Sequence, residues 1–408
     1  MKKCKLGDLL EIQHGYAFKS ENYLHQGKFA LVTLANISES NNFQFNEDNL
    51  TYYESDFPKN MILNEGDLIM PMTEQVIGLL GNSAFIPVVK NFSFVLNQRV
   101  GKVIPKSCVD KYYLHYLLAT NEVKTQLEYR ASGTKQRNIS PDNIYDVTVY
   151  VPELHLQEKI GSVLYSIEKK INLNKKINAT LEAMAKTLYD YWFVQFDFPD
   201  ENGKPYKTSG GKMIYNAELG REIPAGWEIK GLAQIANIVQ GNSPNGTTLN
   251  ETGKGMIFFQ GKTDFGFRFP EVRIYTTAPY RLAEKFDTLL SVRAPVGAVN
   301  MAHERCCIGR GLAAIKSDYP SFIYYTMIRL QSYLEKLSGI GTTFDSITKD
   351  DIMALKICIP PKNFIKMFDA VVSKYDNEIL LKTDENDCLA ALRDWLLPML
   401  MNGQIKFK

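Results

Sequence analysis

No stretch of the sequence strings together the 18 or more apolar residues that a membrane-spanning helix needs, so an integral membrane protein is not expected. The basic start, MKKCKLGDLLEIQ, is broken by Asp8 and Glu11 where a secretory signal would carry its apolar core, which makes the cytoplasm the expected compartment. Cysteine is sparse. Cys4, Cys108, Cys306, Cys307, Cys358 and Cys388 show no C-x-x-C spacing and no neighbouring histidine cluster, so neither a zinc site nor a disulfide framework is indicated. The five histidines are scattered and form no nucleophile-base pattern with these cysteines. Strong charge of either sign is also lacking. A formal net charge of +2 neither requires nor excludes a nucleic-acid partner, because a local basic face is enough.

What is present is a globular composition, 45% hydrophobic and 23% charged, in a chain of 408 residues that is too long for one ordinary core. Its central feature is Leu156 to Phe193. Ile160, Leu164, Ile167, Ile171, Asn174, Asn178, Leu181, Ala185, Leu188 and Trp192 recur at steps of four and three, the seam of a long helix that needs a helical partner. The same design returns 208 positions later as Phe368, Val372, Tyr375, Ile379, Lys382, Asn386, Leu389, Arg393, Leu396 and Leu400. Both seams are apolar at the ends and polar in the middle, and an intramolecular antiparallel pair is the simplest arrangement. A helix of this length spans roughly 57 Å. Pro398 is expected to end or kink the second copy near Leu397, making it the shorter one.

The segments between the helices repeat as well. KLGDLLEIQHG (Lys5 to Gly15) matches GLAQIANIVQG (Gly231 to Gly241) at an offset of 226, and each half continues through short β-type segments such as Ala30 to Leu34 and Met256 to Phe259. LNEGDLIM (Leu63 to Met70) corresponds to AEKFDTLLSV (Ala283 to Val292), a turn feeding a buried strand, and each half then carries a helix, Lys111 to Tyr129 and Ser321 to Leu337. SGTKQRNISPDNIYDVTVYVP (Ser132 to Pro152) lies opposite IGTTFDSITKDDIMALKICIP (Ile340 to Pro360), now at 208, each closing with an alternating strand. The Gly-, Pro- and Lys-rich stretch from Phe196 to Glu228 reads as an exposed connector. The expected organisation is a domain over 1–152, a long helix over 153–195, a connector over 196–226, a second domain over 227–360, and a second long helix with a tail over 361–408. The expected fold class is α+β: two tandem mixed α/β domains joined by an antiparallel coiled coil, with internal pseudo-two-fold symmetry.

Over essentially its full length the chain resembles the specificity subunit of Type I restriction-modification systems. The resemblance is carried by LQEKIGSVLYSIEKKINLNKKINATLEAMAKTLYDYWFVQFD (Leu156 to Asp197), IPAGWE, SGTKQRNIS and LLPMLMNGQI (Leu396 to Ile405) together. It implies that each globular half is a target recognition domain reading one part of a split double-stranded DNA sequence. It further implies that the paired helices set the gap between the parts and help dock two methyltransferase subunits, with translocating restriction subunits in the full complex. No cofactor is expected on this chain; S-adenosylmethionine, ATP and magnesium are expected in the partner subunits.

Base reading needs forked donors, with Arg or Lys directed to guanine and Asn or Gln to adenine. In the first half these are Lys135, Gln136, Arg137 and Asn138, in the loop that the resemblance also places near DNA, followed by Gln98 and Arg99. In the second half Arg293 and Arg310 correspond to the regions of Thr73 and of Gln98 and Arg99. Thr342 and Thr343 provide smaller polar groups there, and Phe344 and Asp345 stand where the first half has Gln136 and Arg137, which weakens the case for base contact from that loop. Lys19, Lys262 and Arg268 are candidate phosphate ligands, whereas Tyr16 and Phe18 read as core.

Signals for catalysis fail on inspection. Gly261-Lys262-Thr263 has Met256 where a phosphate-binding loop needs glycine, and Ile359-Pro360-Pro361-Lys362 lacks the leading Asn or Asp and the trailing aromatic of an adenine methyltransferase. Pro141-Asp142 and Glu168-Lys169-Lys170 have nuclease-like letters but lie in different expected elements. The expected role is therefore noncatalytic DNA recognition. The alternative is a self-contained restriction or modification enzyme whose active site is too degenerate to recognise.

Overall fold

The computed structural model describes residues 1–38, 40–75, 78–133, 136–338 and 346–405. Four helices organise it: α1 (Lys111–Leu118), α2 (Leu154–Tyr189), α3 (Pro320–Ser338) and α4 (Lys362–Met401). The chain divides into two compact units, residues 1–172 with 387–408, and residues 173–386. Each unit therefore owns one part of α2 and one part of α4. None of the helices among the described residues is long and apolar enough to cross a membrane.

In the first unit Leu10–His14, Val100–Pro105, Leu68–Pro71 and Ala84–Phe85 form an antiparallel sheet in that order. A second sheet pairs Phe29–Val32 with Ser93–Leu96 in parallel, and Lys2–Lys5 pairs with Thr148–Val151. The second unit repeats the plan. Asn237–Gln240, Leu312–Lys316, Thr288–Ser291 and Val299–Met301 form the four-stranded sheet, Met256–Phe259 runs parallel to Cys306–Ile308, and Glu228–Gly231 pairs with Lys356–Ile359. The turn before the buried strand needs a left-handed residue in both copies. Gly66 supplies it in one, at φ +76°, and Phe286 accepts the less favourable φ of +69° in the other.

Within the first unit Ile160 and Leu164 of α2 share a core with Leu400 and Met401 of α4, with Leu396 packed against it. Within the second, Tyr189, the last residue of α2, and Phe193, just past its end, share a core with Phe368, while Asn174 donates to Asn386 Oδ1 at 3.0 Å and to Glu385 Oε2 at 2.9 Å. The pairing is antiparallel, because the end of α2 meets early α4 and the middle of α2 meets the middle of α4. Val372 and Ile379 are buried in the same core, and Asn178 donates to Ile379 O and Thr383 Oγ1. These buried amides fix register at a cost in stability.

Four expectations are corrected. The seam is not a strict heptad: Ile167, Leu181, Leu188, Tyr375, Leu389 and Leu396 are only half-buried, whereas Glu168 and Asp376, each one place beyond a seam position, are buried. A straight helix drifts by about 20° per heptad, so the buried face turns away from the partner helix and towards the attached domain. Pro398 does not end α4, which at 40 residues is longer than the 36-residue α2. Pro398 is exposed, which leaves the unpaired carbonyl four residues back open to water, and Asn402 N–H still reaches Pro398 O at 3.0 Å. The helix expected over Lys111 to Tyr129 breaks after Leu118 and restarts as Asn121–Arg130, with Thr120 Oγ1 bonded back to Leu117 O. The connector is not merely exposed, since Phe196, Phe198 and Ile223 are buried and Phe198 stacks on Trp227 with ring centroids 5.1 Å apart.

Candidate nucleic-acid interface

The candidate contact loops are held by main-chain hydrogen bonds that repeat from one half to the other. In the first unit Met72 N donates to Arg99 O (2.9 Å) and Ile139 N to Met72 O (3.0 Å). In the second, Val292 N donates to Gly311 O (2.9 Å) and Ile347 N to Val292 O (3.0 Å). The short strand Thr73–Glu74 pairs with Arg137–Asn138, as Arg293 bridges Ser346. The frame thus brings Gln98, Arg99, Gln136, Arg137 and Asn138 to one end of the first domain, and Arg293 and Arg310 to the matching end of the second. Lys262 lies close to Arg310, because Gly311 N donates to Gln260 O.

The side chains on this frame differ between the halves. Gln98, Arg99, Asn138, Lys262, Arg293 and Arg310 are exposed, and Gln136 is half-buried. Asn138 Oδ1 accepts from Thr73 Oγ1 at 2.8 Å, which orients its amide, and Gln136 Nε2 approaches the same oxygen at 3.4 Å. Lys19 is exposed with Glu21 at 3.9 Å. Lys135, Thr342 and Thr343 lie outside the described residues.

Arg137 is not simply a solvated fork. Its Nη2 pairs with Glu74 Oε1, and the other Glu74 oxygen accepts from Leu79 N (3.1 Å) and Leu80 N (3.0 Å), so a carboxylate only 1% exposed ties the arginine to the turn beyond it. Sequence reasoning missed Glu74. The available signal was the paired difference Glu74 and Arg137 in one half against Ala294 and Asp345 in the other.

Arg268 is a correction. It cannot touch phosphate, being 1% exposed and enclosed in the second unit, where it pairs with Glu182 of α2 (2.8 Å) and Asp376 of α4 and lies 3.5 Å from the centroid of Tyr324. Burial pushes the carboxyls of Asp376 and Glu182 up, and Arg268 pulls both back. Asp376 also accepts from Ser321 Oγ (2.6 Å) at the start of α3. Arg268 therefore bolts the second domain to the helix pair.

Nearby, Asp369 accepts from Ser321 N (3.0 Å) and Phe322 N (3.3 Å), and burial raises its pKa to about 6. A carboxyl raised above its unfolded value, about 3.9, favours folding while protonated, and that contribution is lost as pH climbs from about 4 through about 6. Asp369→Asn should therefore gain stability relative to the parent over that window. Urea midpoints measured at pH 4, 5, 6 and 7 check this, and a difference that stays flat with pH rules it out.

The first unit brings together a polar group that the scattered histidines did not announce. Ser83 Oγ lies 2.8 Å from His115 Nδ1, His115 Nε2 lies 3.6 Å from Glu168 Oε2, and Tyr116 donates to that same oxygen at 2.6 Å. These are the residue types of a hydrolytic triad. Ser83 and His115 are 0% exposed, however, so no substrate reaches them, and the group serves to attach α1 to α2. Cys306 and Cys307 are also fully buried, and burial pushes the Cys306 thiol up to about 12, away from nucleophilic chemistry. No group of three or more His, Cys, Asp or Glu side chains placed to hold a metal occurs among the described residues.

A family model described as the Type I restriction modification DNA specificity domain matches residues 1–183 and again residues 224–389. The chain belongs to the Type I DNA specificity family. A putative type I restriction enzyme MjaX specificity subunit of Methanocaldococcus jannaschii is 32% identical over 314 residues, covering 74% of this chain and 70% of that protein. The type I restriction enzyme HindI specificity subunit of Haemophilus influenzae is 24% identical over 390 residues, covering 78% and 81%. A solved Type I restriction-modification S subunit from M. genitalium shares the fold, with a TM-score of 0.66 at 15% identity over 98% of this chain and 95% of that one. This specificity subunit recognises DNA, and the two matched segments are its two specificity domains.

Proposed function

We propose that each domain reads one part of a bipartite, asymmetric duplex target, that the antiparallel helices set the spacer, and that the chain, noncatalytic by itself, lends this specificity to two methyltransferase subunits and to restriction/translocase subunits. The observation carrying the proposal is one main-chain frame bearing two different sets of side chains: Glu74, Gln98, Arg99 and Arg137 in the first domain against Ala294, Arg310 and Gly311 in the second. A repeated frame offers repeated geometry to DNA, while unlike side chains make the two half-sites unlike. Docking of two copies of one partner is supported by exposed apolar residues that recur 208 positions apart, namely Val163 with Val371, Leu173 with Leu381, and Met184 with Leu392. Methyl transfer from S-adenosylmethionine and ATP- and magnesium-dependent translocation fall to those partners.

The test is to incubate the purified chain with DNA and S-adenosylmethionine, with and without methyltransferase subunits, and to map the methylated adenines. Methylation at a split site only when the subunits are present is expected; methylation by the chain alone would mean a self-contained modification enzyme. The spacer role has its own measurement. Inserting four residues near Asn174 adds about one to two base pairs to the tolerated gap, at 1.5 Å per helical residue against 3.4 Å per base pair. An unchanged gap in the methylation map contradicts it.

A further inference from the structure

The two units contain matching grooves, and only one of them is filled. In the first unit a cavity of about 710 Å³ is floored by Leu117 and Val149 of the recognition domain and by Leu397 and Met401 of α4. In the second unit Thr326, Ile357, Tyr189 and Phe193 occupy the corresponding positions, 208 or 209 residues away in the chain. That cavity is only about 180 Å³. The difference has a visible cause. The connector forms a hairpin of Met213–Asn216 with Arg221–Pro224, and Leu219 and Arg221 line the second groove, with Leu219 packed on its core and the Arg221 guanidinium 5.0 Å from the Phe196 ring.

We propose that the groove of the first unit is a docking site for a turn segment of a partner protein that presents an apolar side chain and, two residues on, a basic one. The occupant's chemistry is read from the filled copy, where Leu219 and Arg221 have that spacing. Charge favours the same occupant. Glu122 and Asp394 line the open groove, whereas Arg329 and Lys356 line the filled one, so the open copy is the more receptive to a cation. Asp394 already holds Arg393 at 2.9 Å, which leaves Glu122 as the main carboxylate for the incoming charge. Such a contact is separate from DNA reading, since neither Arg99 nor Arg137 lines the groove.

The probe is a fluorescent peptide with the sequence of residues 213–224, titrated against the full chain by anisotropy. Saturable one-to-one binding is expected. Asn121→Trp, at an exposed residue lining the groove, and Glu122→Lys should each weaken binding by at least about fivefold. The Arg221→Glu peptide should recover affinity for the Glu122→Lys chain, which separates a charge contact from a folding defect. Absence of saturable binding, or binding indifferent to both substitutions, overturns the proposal. So does binding by a chain ending at Ile405 where the 408-residue chain shows none, since the groove would then belong to the chain's own last residues.

Discussion

Replacing Arg268 by methionine should lower the stability of the second unit by about 3–5 kcal/mol, because buried Asp376 would lose its paired cation and face the carboxylate of Glu182, which is half-buried and keeps Lys186 nearby. The size follows from an asymmetry. A complete buried ion pair contributes little over an apolar replacement, but half of one is strongly destabilising. The triple variant Arg268→Met, Glu182→Gln, Asp376→Asn should therefore regain most of the loss, and denaturant midpoints for the series test this. A single variant as stable as the parent would show that the arginine is no bolt. DNA binding separates the same residue from its exposed neighbours. A buried guanidinium displaces no counterions from DNA, so the triple variant should keep the parent's salt dependence. Lys262→Ala, at the exposed candidate phosphate ligand of the same domain, should reduce the slope by about 1.

The second large effect is expected from Glu74→Ala. This substitution removes the acceptor that holds Arg137 and the Leu79 and Leu80 amides; the half-buried guanidinium can turn to water, but an amide left without its acceptor costs about 1–3 kcal/mol. On the proposed reading, in which Arg137 contacts a base, a fork that is no longer held loses its bidentate geometry, worth about 1–3 kcal/mol of discrimination per base pair. Preference for the first half-site should therefore drop by tenfold or more, while preference for the second half-site and binding to unrelated duplex stay as they were. Competition binding with half-site mutants measures this. If discrimination at the first half-site survives in a folded Glu74→Ala protein, Glu74 does not position a reading residue.

The features legible in the sequence were those carried by local pattern. The 208-residue repeat showed in the two helical seams, and the strands Met256–Phe259 and Thr148–Val151 showed in alternation and β-branching. What stayed hidden depended on distant partners. Arg268, between Phe267 and Phe269 in a glycine-rich stretch, looks like a solvated cation, and nothing nearby reveals that acids 86 and 108 positions away enclose it. Glu168 and Asp376 fall outside the seam because a heptad pattern assumes that the partner helix alone buries a helix, whereas here the attached domain buries a second face. The contact loops were legible only as letters. That Glu74 claims Arg137 depends on a strand pairing across 63 residues.

Because both domains hold their contact loops through backbone amides and carbonyls, the frame places few demands on which side chains the loops display. On the proposed two-part reading, mutations at Gln98, Arg99, Arg293 or Arg310 alter the sequence read while leaving the main-chain hydrogen bonds beneath them intact, and the two ends drift independently of each other. New specificities are thus accessible by single steps that do not pass through an unfolded protein, a form of evolvability built into the main chain.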